Sequence, residues 1–231
     1  MNPSAAGKFS SALRLILVPA LISLIVTLWR LTGELLHWSA RFYNPEAGGM
    51  GAIVGITWLA PVFGIYFAFE LVKAGQKPPN WRKALGLAIL GGVVLILGAP
   101  LQTIFLERSF LSGLVYIWLL GLVAAGMQLF GWPQLVKTLL AYGLAARLPI
   151  ILIMALAMRG GWGTHYDAKP PGFPEMDWLS AFLWLGFFPQ LTFWVGSTIV
   201  MGALCGVPAA VLLHRRKPRV EAGSRGAAFP T

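Results

Sequence analysis

Apolar runs of about 20 residues, each closed by a few polar, glycine or proline residues, recur along most of the chain. A helix rises about 1.5 Å per residue, so each run is long enough to cross a hydrocarbon layer about 30 Å thick with its backbone hydrogen bonds satisfied internally. The pattern predicts an all-α fold, a polytopic integral membrane helical bundle of six transmembrane helices. The expected spans are 13–35, 50–72, 84–106, 110–130, 134–158 and 189–213. Residues 159–188 read as an outer loop with an interfacial segment, and 214–231 as a basic cytoplasmic tail.

Two stretches extend this picture. Beyond the first span, Arg30, Glu34, His37 and Arg41 recur at helical spacing beside a stripe of Leu31, Leu35, Trp38 and Phe42, which predicts a helix continuing to about Phe42 with one wet face. Residues 179–213 contain no charged side chain and would measure about 52 Å as one straight helix. Pro189 is the expected division, with the preceding residues at the interface and the last span following it.

Composition agrees with the pattern. The chain of 231 residues is 57% hydrophobic and 11% charged, with a mean hydropathy of +0.72, whereas soluble domains carry roughly a quarter of their residues as charges. No large soluble domain fits. The net charge of +10 would raise nucleic acid as a partner in a soluble protein. Here twelve of the 18 lysines and arginines fall on the side of the two termini, so the positive-inside rule accounts for the excess and predicts both termini in the cytoplasm, with no nucleic-acid partner. The expected location is a bacterial plasma membrane, the cell inner membrane, with membrane lipids as immediate partners. The N-terminal apolar run reads as a retained span rather than a cleaved signal. Cys205, the one cysteine, excludes an intrachain disulfide.

Polar groups with chemical potential are few. The loop GWGTHYDAKPPGFPEMD, 161–177, sets His165 and Asp167 two residues apart among glycines and prolines. The two could act as an oriented acid–base pair, or supply two metal ligands completed by Glu175, Asp177, Glu34 or His37. No HExxH helix or cysteine cluster supports a metal site, and no particular cofactor is indicated. Trp162, Tyr166, Phe173 and Trp178 suit an interfacial aromatic belt or a platform for a lipid.

Arg147 lies near the middle of the fifth span, where a cation is costly unless it snorkels, enters a wet cavity or finds an acid, and where it could bind an anionic lipid or substrate headgroup. Gln190 and Thr192 open the last span and could either line a polar site or bond between helices. Gly51 with Gly55, and Gly202 with Gly206, have the spacing that lets helices approach closely.

Three functions fit these features. One is an accessory or assembly protein that docks a membrane-protein partner through the outer loop. Another is a transporter or carrier of a hydrophobic or anionic molecule. The third is a lipid-directed enzyme using His165 and Asp167. No GxxxxGK loop supports direct ATP use.

Overall fold

The structure, a computed structural model, describes residues 3–49 and 51–216. Its regular elements are α1 (Pro3–Leu35), α2 (Leu59–Lys73), α3 (Trp81–Gly98), α4 (Gln102–Leu106), α5 (Phe110–Gln128), α6 (Pro133–Gly160), α7 (Trp178–Phe182) and α8 (Val195–Arg216). Among the described residues, five helical runs are long and apolar enough to cross a membrane: Leu13–Leu35, Trp81–Phe105, Phe110–Gln128, Pro133–Gly160 and Trp178–His214. The chain is therefore an all-α, polytopic integral membrane protein. Its outward face is apolar, with Ile25, Ile96, Leu97 and Phe130 each more than three-fifths exposed, as suits contact with lipid tails.

Neighbouring runs alternate in direction. At one end, the Trp132 indole N–H donates to the Gln76 carbonyl at 2.9 Å, and the Trp81 ring packs against both Trp132 and His214. This end joins α2 to α3, α5 to α6, and the close of α8. At the other end, Phe110 meets Phe173 edge to face, and the 161–177 loop packs on the end of α1.

The structure departs from the expected elements in three places. The first helix stops at Leu35 instead of continuing to Phe42. His37 takes a positive φ of 54°, and the Trp38 N–H reaches back to the Gly33 carbonyl at 2.8 Å, a closure that satisfies the last turn. The Tyr43 ring lies across Gly33, where a side chain would collide with it. Arg30 and Glu34 thus remain on the helix, while His37 and Arg41 leave the stripe.

The second helix begins at Leu59, leaving 51–58 in turns. Pro61 falls in its first turn, where the missing N–H removes no helical hydrogen bond. At 15 residues α2 is about 22 Å long, shorter than the other five runs. Gly51 and Gly55 lie in the preceding turns and pair no helices.

The last run is continuous from Trp178 to Arg216, so Pro189 does not break it. Two π-helical segments, Leu183–Phe187 and Gln190–Trp194, flank the proline. The wider turn makes room for the ring and for the carbonyl that loses its usual donor. The Thr192 hydroxyl also donates to the Phe188 carbonyl at 2.6 Å.

The basic tail expected over 214–231 lies outside the described residues from 217 onward.

The core forms where α2, α6 and α8 meet, around Phe67, Leu135, Leu139, Tyr142, Val200 and Val207. At the crossing of α2 and α8, Gly64 lies against the backbone of Gly202, and Gly206 against the Gly64 carbonyl. The absence of side chains at that crossing lets the two backbones touch, gaining dispersion contacts that lipid tails cannot supply.

Candidate functional site

A column of buried polar side chains runs from the 161–177 loop into the bundle between α1, α6 and the last helical run. Its upper tier is built on Glu34, whose side chain has no exposed surface. The Arg30 Nε donates to Glu34 Oε1 at 2.8 Å, one helical turn away. Arg30 also donates through Nη2 to the carbonyls of Asn44 and Gly49, which folds the α1–α2 connection over the helix end. Across 131 residues of sequence, the His165 backbone N–H donates to Glu34 Oε2 at 2.8 Å, and its ring Nδ1 lies 2.7 Å from the same oxygen. One carboxylate therefore holds a guanidinium and an imidazole.

Burial pushes the His165 ring below the ordinary imidazole range, and the nearby Arg30 charge acts in the same direction. The hydrogen bond to Glu34 and the carboxylates of Glu34 and Asp167 oppose this without reversing it. A neutral ring with its proton on Nδ1 satisfies the geometry, donating to a carboxylate whose charge is balanced by Arg30.

Asp167 serves the fold of its own loop. Its carboxylate accepts from the Gly163 N–H at 2.9 Å, the Thr164 N–H at 2.8 Å and the Thr164 hydroxyl at 2.7 Å. Gly161 and Gly163, at φ of 60° and 70°, supply the left-handed backbone that closes α6 and turns the chain into this motif. Glu34, rather than Asp167, makes the hydrogen bond to the His165 ring. The His37 ring lies next to its own Leu35 carbonyl, and among the described residues no three His, Cys, Asp or Glu side chains converge as metal ligands.

Asp177 caps the start of α7, accepting from the Leu179 and Ser180 N–H groups and from the Ser180 hydroxyl. Its hydrogen bonds with Ser180 hold the carboxyl below its usual range. Glu175 makes no salt bridge among the described residues.

Tyr166 forms the middle tier. It is only 3% exposed, so it points into the bundle, while Trp162 and Trp178 remain partly exposed at the surface. Its ring packs against His165 with centroids 3.9 Å apart, and its hydroxyl reaches toward the Thr27 carbonyl of α1 at 3.5 Å. Burial raises the phenol above its ordinary range. Arg159 lies over the exposed Trp178 ring, marking the edge of the loop.

Arg147 occupies the lower tier, at the midpoint of the 28-residue α6. It is 6% exposed. Its Nη1 donates to Gln190 Oε1 at 3.3 Å, and its guanidinium carbon lies 4.8 Å from the Trp194 ring centroid. Its Nε is buried with no hydrogen-bond partner, and Arg147 forms no salt bridge among the described residues. Gln190 and Trp194 both belong to the π-helical segment after Pro189, so the irregularity lies in the segment that partners the arginine. Thr192, in the same segment, spends its hydroxyl on its own helix and does not join the cluster.

Below this tier, the Tyr142 and Ser23 hydroxyls are 2.8 Å apart, and Ser23 also donates to the Pro19 carbonyl at 2.9 Å. These two residues and Thr27, whose Oγ1 is buried without a partner, extend the column, although as hydroxyls inside apolar runs they have no distinguishing sequence pattern. Gln128 stands apart, donating to the carbonyls of Leu87 and Ala124 and tying α5 to α3.

The site thus combines a neutralised upper tier with an arginine below it that has no counter-charge among the described residues. Such an arrangement is able to bind an anion from within the bundle. The chain matches no family model, no curated protein and no solved structure.

Proposed function

We propose that the protein is a membrane-embedded binding protein or carrier for an anionic molecule with apolar parts, and that Arg147 holds its charged end. The supporting observation is the state of Arg147 itself: buried at mid-helix, without a carboxylate partner among the described residues, and with Nε unpaired. An isolated buried cation costs several kcal/mol, by order of magnitude, so a bound anion would offset a penalty already present in the fold. Tyr166 and the latched 161–177 loop lie between this site and the outer end of α1, which makes the loop a lid over the column.

In this reading α2 makes a sixth crossing with help from residues 51–58, both termini face the cytoplasm of a bacterial cell, and the 161–177 loop faces outward. The lysine and arginine distribution supports that orientation. The direct test is to purify the protein in its native lipid and compare small anions extracted from wild type and from Arg147→Leu by mass spectrometry. An anion retained by wild type and missing from the variant supports the reading. Identical extracts defeat it.

A second reading, an accessory or assembly protein, is favoured by the loop's construction. Glu34 and Asp167 fix one loop conformation from two sides, and that conformation leaves Trp162 and Trp178 on the surface, where a membrane-protein partner could dock. Cross-linking from position 162 in whole cells tests it, since a docked partner gives one defined adduct. The enzymatic alternative has less support, because the His165 Nδ1 is engaged by Glu34 and the Asp167 carboxylate by its own loop.

A further inference from the structure

Building on the proposal that Arg147 binds an anion, we infer that the ligand's charged end is the carboxylate of an apolar acid, received by the free side-on edge of the Arg147 guanidinium.

A guanidinium presents planar edges, each able to grip two oxygens. On Arg147, Nη1 is taken by Gln190 and one face is covered by Trp194. Nε is buried and unpaired, and Nη2, which shares an edge with the Nε–H, makes no hydrogen bond among the described residues. The unused donors are therefore adjacent and parallel, the arrangement that matches the two oxygens of a carboxylate. On the Nη1 side of the guanidinium a further weakly used donor is present. The Gln190 Nε2 has only the Met154 sulfur, at 3.6 Å, and a thioether is a weak acceptor.

Charge and depth narrow the class further. Among the described residues, the groups that interact electrostatically with Arg147 are the phenols of Tyr142 and Tyr166, with no second arginine or lysine. One cation balances a monoanion. A phosphate monoester, carrying nearly two charges near pH 7, would leave a net negative charge beside Trp194 and Met154. A phosphodiester lipid is a monoanion, but its headgroup belongs at the interface, about 15 Å from the bilayer centre. Arg147, at the midpoint of α6, is about 20 Å of helix from either end. An acid that leaves the interface chain and all can place its carboxylate there; a phospholipid anchored by its headgroup cannot without crossing the apolar layer.

The test uses the full chain in nanodiscs of zwitterionic phosphatidylcholine, with radiolabelled dodecanoate as the probe. Dodecanol, dodecyl phosphate and nanodiscs doped with phosphatidylglycerol are the comparisons. Wild type should bind dodecanoate saturably and dodecanol far more weakly. Arg147→Lys keeps a charge but loses the planar edge, and should weaken dodecanoate binding about 10-fold or more. Arg147→Leu should abolish saturable binding, with circular dichroism and a single gel-filtration peak showing that it is folded. If dodecyl phosphate or phosphatidylglycerol binds through Arg147 while dodecanoate does not, the carboxylate assignment is overturned and anion binding stands. If no anion binds wild type, or Arg147→Leu binds dodecanoate as wild type does, anion binding itself is overturned.

Discussion

Glu34 and His165, 131 residues apart, are joined twice: the carboxylate accepts the histidine's backbone N–H at 2.8 Å, and its Oε1 and Oε2 lie 2.6 and 2.7 Å from the ring Nδ1. The first contact fixes where the loop backbone sits, and the second fixes how the ring turns. Because the next residue is Tyr166, the same contact drives that phenol into the bundle. A single buried carboxylate thus couples the end of α1 to the 161–177 loop and to the buried Tyr166.

Loss of that carboxylate should be costly. In Glu34→Ala the Arg30 guanidinium loses its counter-charge, and two donors of His165 lose their acceptor. Removing one partner of a buried ion pair typically costs about 3–5 kcal/mol. The expected result is a lower thermal midpoint in detergent or nanodiscs, together with faster amide hydrogen exchange across 161–168. Glu34→Gln preserves the shape and should lose less. If the alanine variant exchanges its loop amides at the wild-type rate, Glu34 is not the latch.

The latch should also weaken in mild acid. His165 is held below the ordinary imidazole value of about 6.5, so between that value and its lower folded value the released loop binds a proton that the docked loop does not. Docking stability is therefore fully present above about pH 6.5 and declines as the pH falls toward the folded value. Hydrogen exchange at Thr164, His165 and Tyr166 between about pH 5 and 8, corrected for intrinsic rates, measures it. Stronger protection in mild acid than at neutral pH would reverse the assigned direction.

Much of this architecture was legible in the sequence because the bilayer restricts what can cross it. Long apolar runs mark five helices, and the cost of a mid-span cation singles out Arg147 without any knowledge of its neighbours. Loop chemistry was less legible. Local spacing suggests His165 with Asp167, and Glu34 is one of several possible partners. Its selection requires α1 to end at Leu35 and the chain to return 131 residues later, a relation no local period encodes. Tyr166 reads as an interfacial aromatic by the company it keeps, whereas the His165 latch buries it. Pro189 reads as a break because a regular helix cannot absorb it, and the π-helical turns that accommodate it also carry Gln190 and Trp194 to Arg147.

The crossing of α2 and α8 yields a paired test of packing. A Cβ on Gly64 would collide with the Gly202 backbone, which cannot rotate away as a side chain could, so Gly64→Ala should cost about 1–3 kcal/mol. Gly86 lies in α3 with open space where a methyl group would sit, and Gly86→Ala should be neutral or stabilising by up to about 1 kcal/mol. Thermal unfolding of the two variants in the same nanodiscs measures the difference. Equal midpoints would mean that α2 and α8 are not in backbone contact.

Arg147 itself should be a residue that the ligand-free fold does better without. Replacing the guanidinium with an isobutyl group removes a buried charge that has no counter-ion among the described residues, along with an Nε lacking any acceptor. Substituting apolar side chains for buried ionic groups is often neutral or stabilising by about 1–4 kcal/mol. Against this, Gln190 Oε1 loses its donor, a loss of about 1 kcal/mol, and Trp194 loses its cation. The balance favours an Arg147→Leu variant at least as stable as wild type when both are stripped of ligand, and Arg147→Leu with Gln190→Leu should be more stable still, because neither polar partner is then left alone. Thermal midpoints after exhaustive delipidation measure both. A fall of more than about 2 kcal/mol in the double variant would mean that Arg147 supports the fold through a partner other than Gln190. Stability gained as binding is lost is the pattern expected of a charge retained for its ligand.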